Sequence, residues 1–371
     1  MTNAAFRLVR CGLLQLLPAL LLAAAPGARP IPVAPLVVTE PVLFDSDDPA
    51  IWVNPADPAK SLVLGTCKGE ENGGLYVFDL NGKILRDKTV LGLKRPNNVD
   101  LAYGFKLGGR KVDLAVMTER NVGKIRVFAV PSMEAVDGGG LPVFDFARDP
   151  ERLPTGIALY TRPRDGALFA IVGARVGPKE GYLWQYRLED DGAGRVRATK
   201  VREFGAYSDT KEIEAIAVDN ELGHVYYSDE RLGVRQYQAD PDAPDANREL
   251  AVFGTYGFFL DREGISIYPT GPGRGYIIVS NQDGDGKGQG NTFRIFRREG
   301  EPGKPYAHPF LKEVRLSTES SDGSDVITAD LGGRFPGGLF VAMSTDRTFH
   351  YYSWAQLAGD ELAGRSTAAK K

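Results

Sequence analysis

Apolar strands and turn residues alternate along this chain in a hairpin pattern that occurs six times. In each copy a short apolar strand leads into a turn rich in glycine, proline or aspartate, and a second apolar strand follows. The six hairpins cover residues 45–68, 97–120, 155–173, 214–230, 263–282 and 325–343. Repetition at a regular spacing indicates that each copy forms one unit of a repeated architecture.

A third apolar strand follows each hairpin, at residues 75–80, 125–130, 182–188, 234–237, 293–297 and 349–354. The copies begin about 55 residues apart, slightly above the roughly 40–50 residues of propeller blades. The pattern predicts an all-β fold, a six-bladed β-propeller with four-stranded antiparallel blades around a central channel. The segment 36–44 precedes the first copy, and we expect it to add an outer strand to the last blade and close the ring.

Composition agrees with one large all-β domain. The chain has 371 residues, of which 43% are hydrophobic and 25% charged, and its 44 glycines and 24 prolines suit many turns. We predict a linker at 28–40, the propeller at 41–357 and a disordered tail at 358–371.

The first residues have the pattern of a secretory signal peptide. Arg7 and Arg10 precede an apolar run at 13–25 that is too short to cross a bilayer and ends in three alanines. We assign residues 1–27 to the signal peptide and expect export to the periplasm or the medium. Cys11 lies in the removed segment, so Cys67 alone remains and no internal disulfide can form.

The charge balance disfavours nucleic-acid binding. Removal of residues 1–27 lowers the net charge from −3 to −5, and no basic patch with interleaved aromatic residues is present. We expect a monomer that acts on a small molecule and has neither a nucleic-acid nor a membrane partner.

Charged residues recur where the first strand of each blade starts and the second ends, which is one mouth of the channel. The acidic positions include Asp47, Asp48, Glu214, Glu230, Glu263 and Asp322. At an effective dielectric constant of about 20, each close carboxylate pair costs about 4 kcal/mol, so these groups must bind protons or cations. Oxygen ligands without histidine or cysteine favour Ca²⁺ or Mg²⁺, and the irregular set from several loops favours Ca²⁺.

Basic residues are predicted at the same mouth, at Lys68, Arg120 and Lys179. Any one of these charged positions could be a turn cap or a solvated strand end. Acidic and basic residues recur at equivalent positions of the six hairpin copies. This recurrence points instead to a ligand with several negative charges, such as phosphate bound partly through Ca²⁺. Phosphoryl transfer would then need an in-line water and charge neutralisation.

Several short motifs carry a family resemblance: Asp47-Asp48-Pro49-Ala50-Ile51-Trp52, Asn97-Asn98-Val99-Asp100, Lys179-Glu180-Gly181, Asp261-Arg262-Glu263-Gly264 and Asp322-Gly323. From about Asp45 to Trp354 the chain resembles the β-propeller phytases, six-bladed calcium-dependent enzymes of the 3-phytase type that release inorganic phosphate from phytate. The resemblance implies phytate as substrate, bound as a calcium complex, and attack on phosphorus by a metal-bound water without a phosphoenzyme.

The resemblance also implies roles for the matching positions. The metal set is Asp47, Asp48, Asp100, Glu214, Glu230, Asp261, Glu263 and Asp322. The substrate-binding set is Lys68, Arg120, Lys179 and Gln282, and the catalytic set is Lys68, Arg120, Lys179, Glu180 and Glu230. Three features depart from the family pattern: Thr155 stands where a tyrosine is usual, residues 343–346 replace a Gln-Asp-Gly run, and the loop 173–178 is longer than usual.

Two other functions stay open on the residues alone. A calcium-dependent sugar-lactone hydrolase could use the same scaffold, but it would need a single metal and a less cationic pocket than Lys68, Arg120 and Lys179 provide. A non-enzymatic propeller could bind a protein or polysaccharide at the mouth. Other phosphatase classes are disfavoured, because no histidine lies in an Arg-His-Gly setting and no arginine follows Cys67 at the required spacing.

Overall fold

The computed structural model describes Met1 and residues 31–147, 151–282 and 291–363. The unit that begins at Pro32 is almost entirely β-structure arranged in six antiparallel sheets. From first to fourth strand, the sheets are Ser46–Trp52, Leu62–Cys67, Gly73–Phe78 and Val90–Leu93 in blade 1; Pro96–Leu107, Arg110–Glu119, Lys124–Val130 and Leu141–Pro142 in blade 2; Pro154–Thr161, Leu168–Ala174, Glu180–Asp190 and Val196–Ala206 in blade 3; Ile216–Asp219, His224–Asp229, Gly233–Gln238 and Ala251–Phe253 in blade 4; Ile265–Gly271, Arg274–Asn281, Thr292–Arg297 and Phe310–Arg315 in blade 5; and Ser324–Ile327, Leu339–Ser344, Thr348–Ser353 and Val37–Val38 in blade 6.

The first strands of neighbouring blades contact one another in cyclic order around a central channel. Blade 2 has an additional short strand, Glu134–Ala135, beside its third strand. The prediction of a six-bladed propeller with four-stranded antiparallel blades is therefore confirmed.

The ring is closed by the chain's N-terminal segment, as predicted. Val37 and Val38 pair antiparallel with Tyr351 and His350 and supply the outer strand of blade 6. Upstream, Val33 forms a further bridge to Leu316. The propeller therefore begins before the predicted boundary at residue 41.

The core consists of apolar clusters between adjacent blades. Leu114 and Val127 of blade 2 lie in one buried cluster with Leu159 and Val172 of blade 3. Each sheet is covered on both faces by its neighbours, so both sets of alternating side chains are apolar in the inner strands. Complete burial of one such side chain contributes about 1.5–3 kcal/mol.

A helix, Trp354–Ala363, follows the last strand and packs on the propeller. The ring of Trp354 stacks on Tyr268 of blade 5 with their centroids 3.7 Å apart, and Ala358 and Leu362 are buried in the same cluster. The prediction of disorder from residue 358 is therefore wrong for residues 358–362. No helix in the described part of the chain is both long and apolar enough to cross a membrane. The predicted signal peptide falls almost wholly on residues outside the described ranges.

The described residues include two short 3₁₀ turns: Pro58–Lys60, inside the hairpin of blade 1, and Arg120–Val122. The second turn follows the second strand of blade 2 and places Arg120 at the predicted mouth. The channel itself is narrow, with a cavity of about 150 Å³ lined by the first strands of the blades.

Candidate active site

β-Bulges at the start of the first strands direct side chains toward the mouth. The register shifts between Ser46 and Pro49 in blade 1 and between Pro96 and Val99 in blade 2. At the first bulge, Thr66 of the second strand accepts the backbone N–H of Asp48 through its hydroxyl at 2.9 Å. A bulge inserts an extra residue and so re-aims the side chains beside it.

Close backbone approach between blades draws the acidic residues together. A Cβ on Gly156 would lie 1.8 Å from the backbone oxygen of Glu214, and one on Gly264 would lie 2.5 Å from that of Asp322. Only glycine permits these approaches, so the residue before the first strand of the next blade can reach the channel mouth.

Lys68 is the centre of one charged group at the mouth. Its Nζ lies 2.8 Å from an oxygen of Asp322, 3.0 Å from Asp47 and 3.5 Å from Asp45. Asp47 is almost completely buried, with 1% of its surface exposed. Residues of five blades contribute to this mouth, and the ion pair of Lys68 with Asp322 links blade 1 to blade 6.

The electrostatics of this group follow from burial and from the lysine. Burial works against the Lys68 ammonium, but the surrounding carboxylates outweigh it and raise the pKa of Lys68 well above its usual value. Burial also raises the pKa of Asp47, with Lys68 opposing it and Glu214 and Asp322 adding to it. For Asp322, the Lys68 ammonium, a hydrogen bond with Glu263 and the Gln282 amide together overcome burial and lower the pKa. The group thus has more negative charge than one ammonium can balance.

Two side-chain amides link the carboxylates of different blades. Asn97 donates from Nδ2 to Asp47 at 2.9 Å and to Glu214 at 2.8 Å. Gln282 donates from Nε2 to Asp322 at 2.8 Å and to Glu263 at 3.0 Å. The amides therefore fix the spacing of four carboxylates that would otherwise repel one another.

Two carboxylate triads lie next to this group, and Glu230 belongs to both. The oxygens of Glu212, Glu214 and Glu230 lie within 4.8 Å of one another, as do those of Glu230, Asp261 and Glu263. Glu230 is fully buried; its Oε1 has no partner among the described residues, and its Oε2 has only an ion pair with the Lys211 ammonium at 3.3 Å. Burial raises its pKa to about 9, against the attraction of Lys211 and with the help of Glu214 and Glu212.

The donor set at the triads consists of carboxylate oxygens alone, which suits a hard divalent cation. A buried carboxylate oxygen without a partner is costly, and a metal ion would supply the missing contact. The geometry therefore fits a site that can hold metal ions at two adjacent positions.

Arg120 lies beside the first triad. It is 5% exposed, and its guanidinium is 3.7 Å from Glu212 and 3.9 Å from Glu214, longer than a close ion pair. Its Nε has no partner among the described residues. The guanidinium therefore keeps donor capacity for an anionic ligand.

Comparison with known proteins decides the family. The phytase family model matches residues 9–352. A 3-phytase of Bacillus subtilis (strain 168) is 31% identical over 329 residues, covering 84% of this chain and 80% of that protein. The chain belongs to the phytase family. Among solved structures, the WD40 β-propeller domain of Doa1 aligns with 86% of this phytase-family chain and 96% of its own, at 10% identity and a TM-score of 0.48.

Most of the site residues predicted for this phytase-family chain meet at the mouth. The structure brings together Asp47, Lys68, Arg120, Glu214, Glu230, Asp261, Glu263, Gln282 and Asp322. Blade 3 is the exception. Thr155 is buried and donates its hydroxyl to the backbone oxygen of Ile213 at 3.0 Å, so it supports the contact between blades 3 and 4.

Lys179 and Glu180 lie on the outer rim and are not part of the buried group. The side chain of Lys179 is 71% exposed and pairs with Asp209 at 3.3 Å, and Glu180 is exposed. Glu180 is the first residue of the third strand of blade 3 and Lys179 directly precedes it; this strand lies farther from the axis than the first two strands. Their roles in substrate binding and catalysis stay predictions.

Asp48 and Asp100 face the channel rather than the charged group. Asp48 accepts the backbone N–H of Val99 at 3.0 Å, and Asp100 accepts that of Leu159 at 2.7 Å, each in the next blade. Burial raises the pKa of Asp100 to about 6. Both carboxylates act here as bridges between the first strands of adjacent blades.

Sequence reasoning missed three residues of this phytase site: Glu212, Asn97 and Lys211. Glu212 stands two positions before Glu214, and the period-two alternation of extended chain places both on one side. That spacing was a usable signal. Asn97 belongs to the Asn97-Asn98-Val99-Asp100 motif, which does not indicate where its amide points, and Lys211 lies in a segment between strands where no periodicity indicates its direction.

Proposed function

We propose that this phytase-family chain is a calcium-dependent phosphomonoesterase that releases inorganic phosphate from phytate. One observation carries the proposal: Lys68, whose side chain is 14% exposed, and buried Arg120 share one mouth with two carboxylate triads. Membership of the phytase family, and the similarity to a Bacillus 3-phytase, support the reaction and the substrate. A site with both signs of charge suits a polyanion that binds partly through metal ions.

The residues of the triads would hold calcium. Glu230 would be shared between two ions, with Glu212 and Glu214 on one side and Asp261 and Glu263 on the other. Asp47 and Asp322 would lie close enough to take part in calcium binding once the Lys68 ammonium contacts the substrate. Calcium, when bound, supplies positive charge to phosphate oxygens and activates water for direct attack.

The chain's own cations orient the phosphate. The Lys68 ammonium, held by Asp47 and Asp322, would donate to oxygens of the scissile phosphate. The planar guanidinium of Arg120 can contact two phosphate oxygens at once, and its long ion pairs leave it available. Charge that develops on the phosphate oxygens would be stabilised by these donors without rearrangement.

The outer residues would serve the rest of a large substrate. Lys179 at the rim would contact a second phosphate of the inositol ring, and Gln282 would keep Asp322 and Glu263 in place. Glu180 stays a proposed member of the catalytic set through its position beside Lys179. The two cations at the mouth disfavour the lactone hydrolase, and family membership disfavours a propeller that only binds.

The test is phosphate release from calcium phytate by the purified chain. We expect release with millimolar calcium, its loss after treatment with EDTA, and its recovery when calcium is restored. Lys68→Met should abolish release, whereas Lys60→Met, which removes an exposed lysine paired with Asp57, should not. Absence of phosphate release by the calcium-loaded wild type would overturn the proposal, and opening of a sugar lactone instead would favour the rival enzyme.

We also propose that the chain is exported, through residues 1–27, and acts as a monomer. The apolar run behind Arg7 and Arg10 supports the first point. Mass spectrometry of the protein from the periplasm or medium should find an N-terminus near residue 28. An unprocessed cytoplasmic product would contradict export, and light scattering would reveal an oligomer.

A further inference from the structure

Lys211 places its ammonium among the three carboxylates of the second triad. Its Nζ lies 3.0 Å from Glu263, 3.3 Å from Glu230 and 3.4 Å from Asp261. The residue precedes blade 4, and its side chain is only 34% exposed. One ammonium with three N–H donors thus faces one oxygen from each member of the triad.

The local backbone is built to direct this side chain inward. Lys211 has φ of 72°, a left-handed conformation that is uncommon for residues other than glycine. The hydroxyl of Tyr207 donates to the backbone oxygen of Lys211. The ring of Tyr207 in turn packs against Tyr182 with centroids 4.5 Å apart. A conformation of this kind persists only where surrounding contacts maintain it.

The triad itself requires a cation. Glu230 is fully buried, its Oε1 has no partner among the described residues, and Oε2 has only the ammonium at 3.3 Å. Two cations face the three carboxylates, Lys211 and also Arg231, whose Nε lies 2.9 Å from Asp261, and neither of them gives Oε1 of Glu230 a partner. A divalent ion would compensate them better, but it would need the same oxygens.

We propose that Lys211 is a tethered counter-ion that occupies the Glu230–Asp261–Glu263 position until calcium displaces it. A calcium ion binds oxygens at 2.3–2.6 Å, whereas the ammonium holds one oxygen of each carboxylate at 3.0–3.4 Å. The two cations compete for the same carboxylates and repel each other. Calcium binding at this position therefore requires that the lysine side chain swing out toward the mouth.

The exchange of the Lys211 ammonium for calcium sets the calcium dependence of the site. Without metal, the ammonium offsets part of the negative charge of the triad, and its contacts weaken calcium binding by the free energy needed to break them. This inference rests on the proposed calcium dependence, but its tests measure calcium and lysine directly and use no phytate. Failure of phosphate release would therefore leave it untouched.

The first test compares calcium binding to the metal-free full chain by titration calorimetry. Lys211→Met should bind one calcium ion at least threefold more tightly than wild type, and its melting temperature in EDTA should fall because the triad loses its counter-ion. Lys60→Met removes the same charge from an exposed pair and should change neither quantity. Calcium affinity that is unchanged or weaker in Lys211→Met would overturn the proposal.

The second test uses the unaltered chain and so does not depend on folding of the variant. Acetylation of lysines, followed by mass spectrometry, reports how accessible each ammonium is. We expect calcium to raise the acetylation rate of Lys211 severalfold relative to EDTA and to leave that of exposed Lys60 unchanged. Equal rates for Lys211 with and without calcium would show that the lysine stays in the triad, and the proposal would be wrong.

Discussion

Replacement of Glu230 by glutamine should make the protein more stable than wild type without calcium and less stable than wild type with calcium. Glu230 is fully buried, and burial raises its pKa to about 9 against the attraction of Lys211. Without calcium, the folded protein keeps this carboxyl protonated at pH 7, whereas the unfolded chain has lost the proton. The unfolded state therefore binds fewer protons, and stability falls as pH rises from about 4.5 to about 9.

The magnitude follows from the pKa difference. Each pH unit in this window costs at most about 1.4 kcal/mol, so the free energy of unfolding has lost about 3 kcal/mol by pH 7. Glutamine cannot ionise and has nearly the same shape, so Glu230→Gln should be more stable than wild type in EDTA by up to that amount. For a domain of this size the melting temperature should rise by about 4 °C.

Calcium should reverse the sign of the stability difference between Glu230→Gln and wild type. Glu230 is common to both triads, so the variant loses a charged ligand at each position. At calcium 100 times above its Kd, one occupied site adds about 2.7 kcal/mol to wild type, and the variant should gain much less. The calcium effect on wild type should also grow with pH, because protons compete with the metal for the same oxygens.

Urea unfolding at pH 5, 7 and 8.5, with EDTA or with calcium, measures both effects. The exposed carboxylate of Glu134 provides a control, since Glu134→Gln should alter stability by less than about 0.5 kcal/mol under all conditions. If Glu230→Gln destabilises the calcium-free protein equally at pH 5 and pH 8.5, a proton on buried Glu230 cannot be the reason, and our account of the site is wrong.

Three further substitutions test other parts of the site. Lys68→Met should cost about 3–5 kcal/mol in EDTA, because Asp47 and Asp322 lose their counter-ion; a melting temperature equal to that of Lys60→Met would contradict this. Gly156→Ala should cost at least about 1–3 kcal/mol, since its Cβ would meet the Glu214 backbone at 1.8 Å, and an unchanged urea midpoint would refute it. Lys179→Met should alter stability by less than about 1 kcal/mol but raise KM for phytate, and an unchanged KM would exclude contact with substrate.

The fold and the location of the mouth could be predicted because they depend on periodic features. Hydrophobic alternation and turn residues define the hairpins, and the start of a first strand and the end of its partner must lie at one edge. Lys68, Glu214 and Glu263 follow directly from that argument. The order of residues 358–362 was not predicted, although the sequence has a signal for the helix: Ser353 and Gln356 stand at the spacing of a capping box, and the backbone N–H of Ser353 donates to Gln356 at 2.9 Å.

The inner arrangement could not be predicted because it depends on single-residue shifts. Asp47 and Asp48 are neighbours, yet the bulge sends one to Lys68 and the other to the backbone of Val99. The sequence contains the pair but not the position of the bulge. Lys179 and Glu180 were placed too near the axis, because a motif does not say how far out along the blade its strand lies.

The short strand Val37–Val38 has a consequence for how the protein acquires its shape during synthesis. Its partners, Tyr351 and His350, are more than 300 positions later in the chain, so an N-terminal fragment on the ribosome has no template for this strand. Until the last blade is translated, the circle remains an open arc with unpaired backbone at both ends, where another copy could pair by mistake. Premature termination anywhere before residue 351 should therefore give an aggregation-prone product rather than a smaller working enzyme.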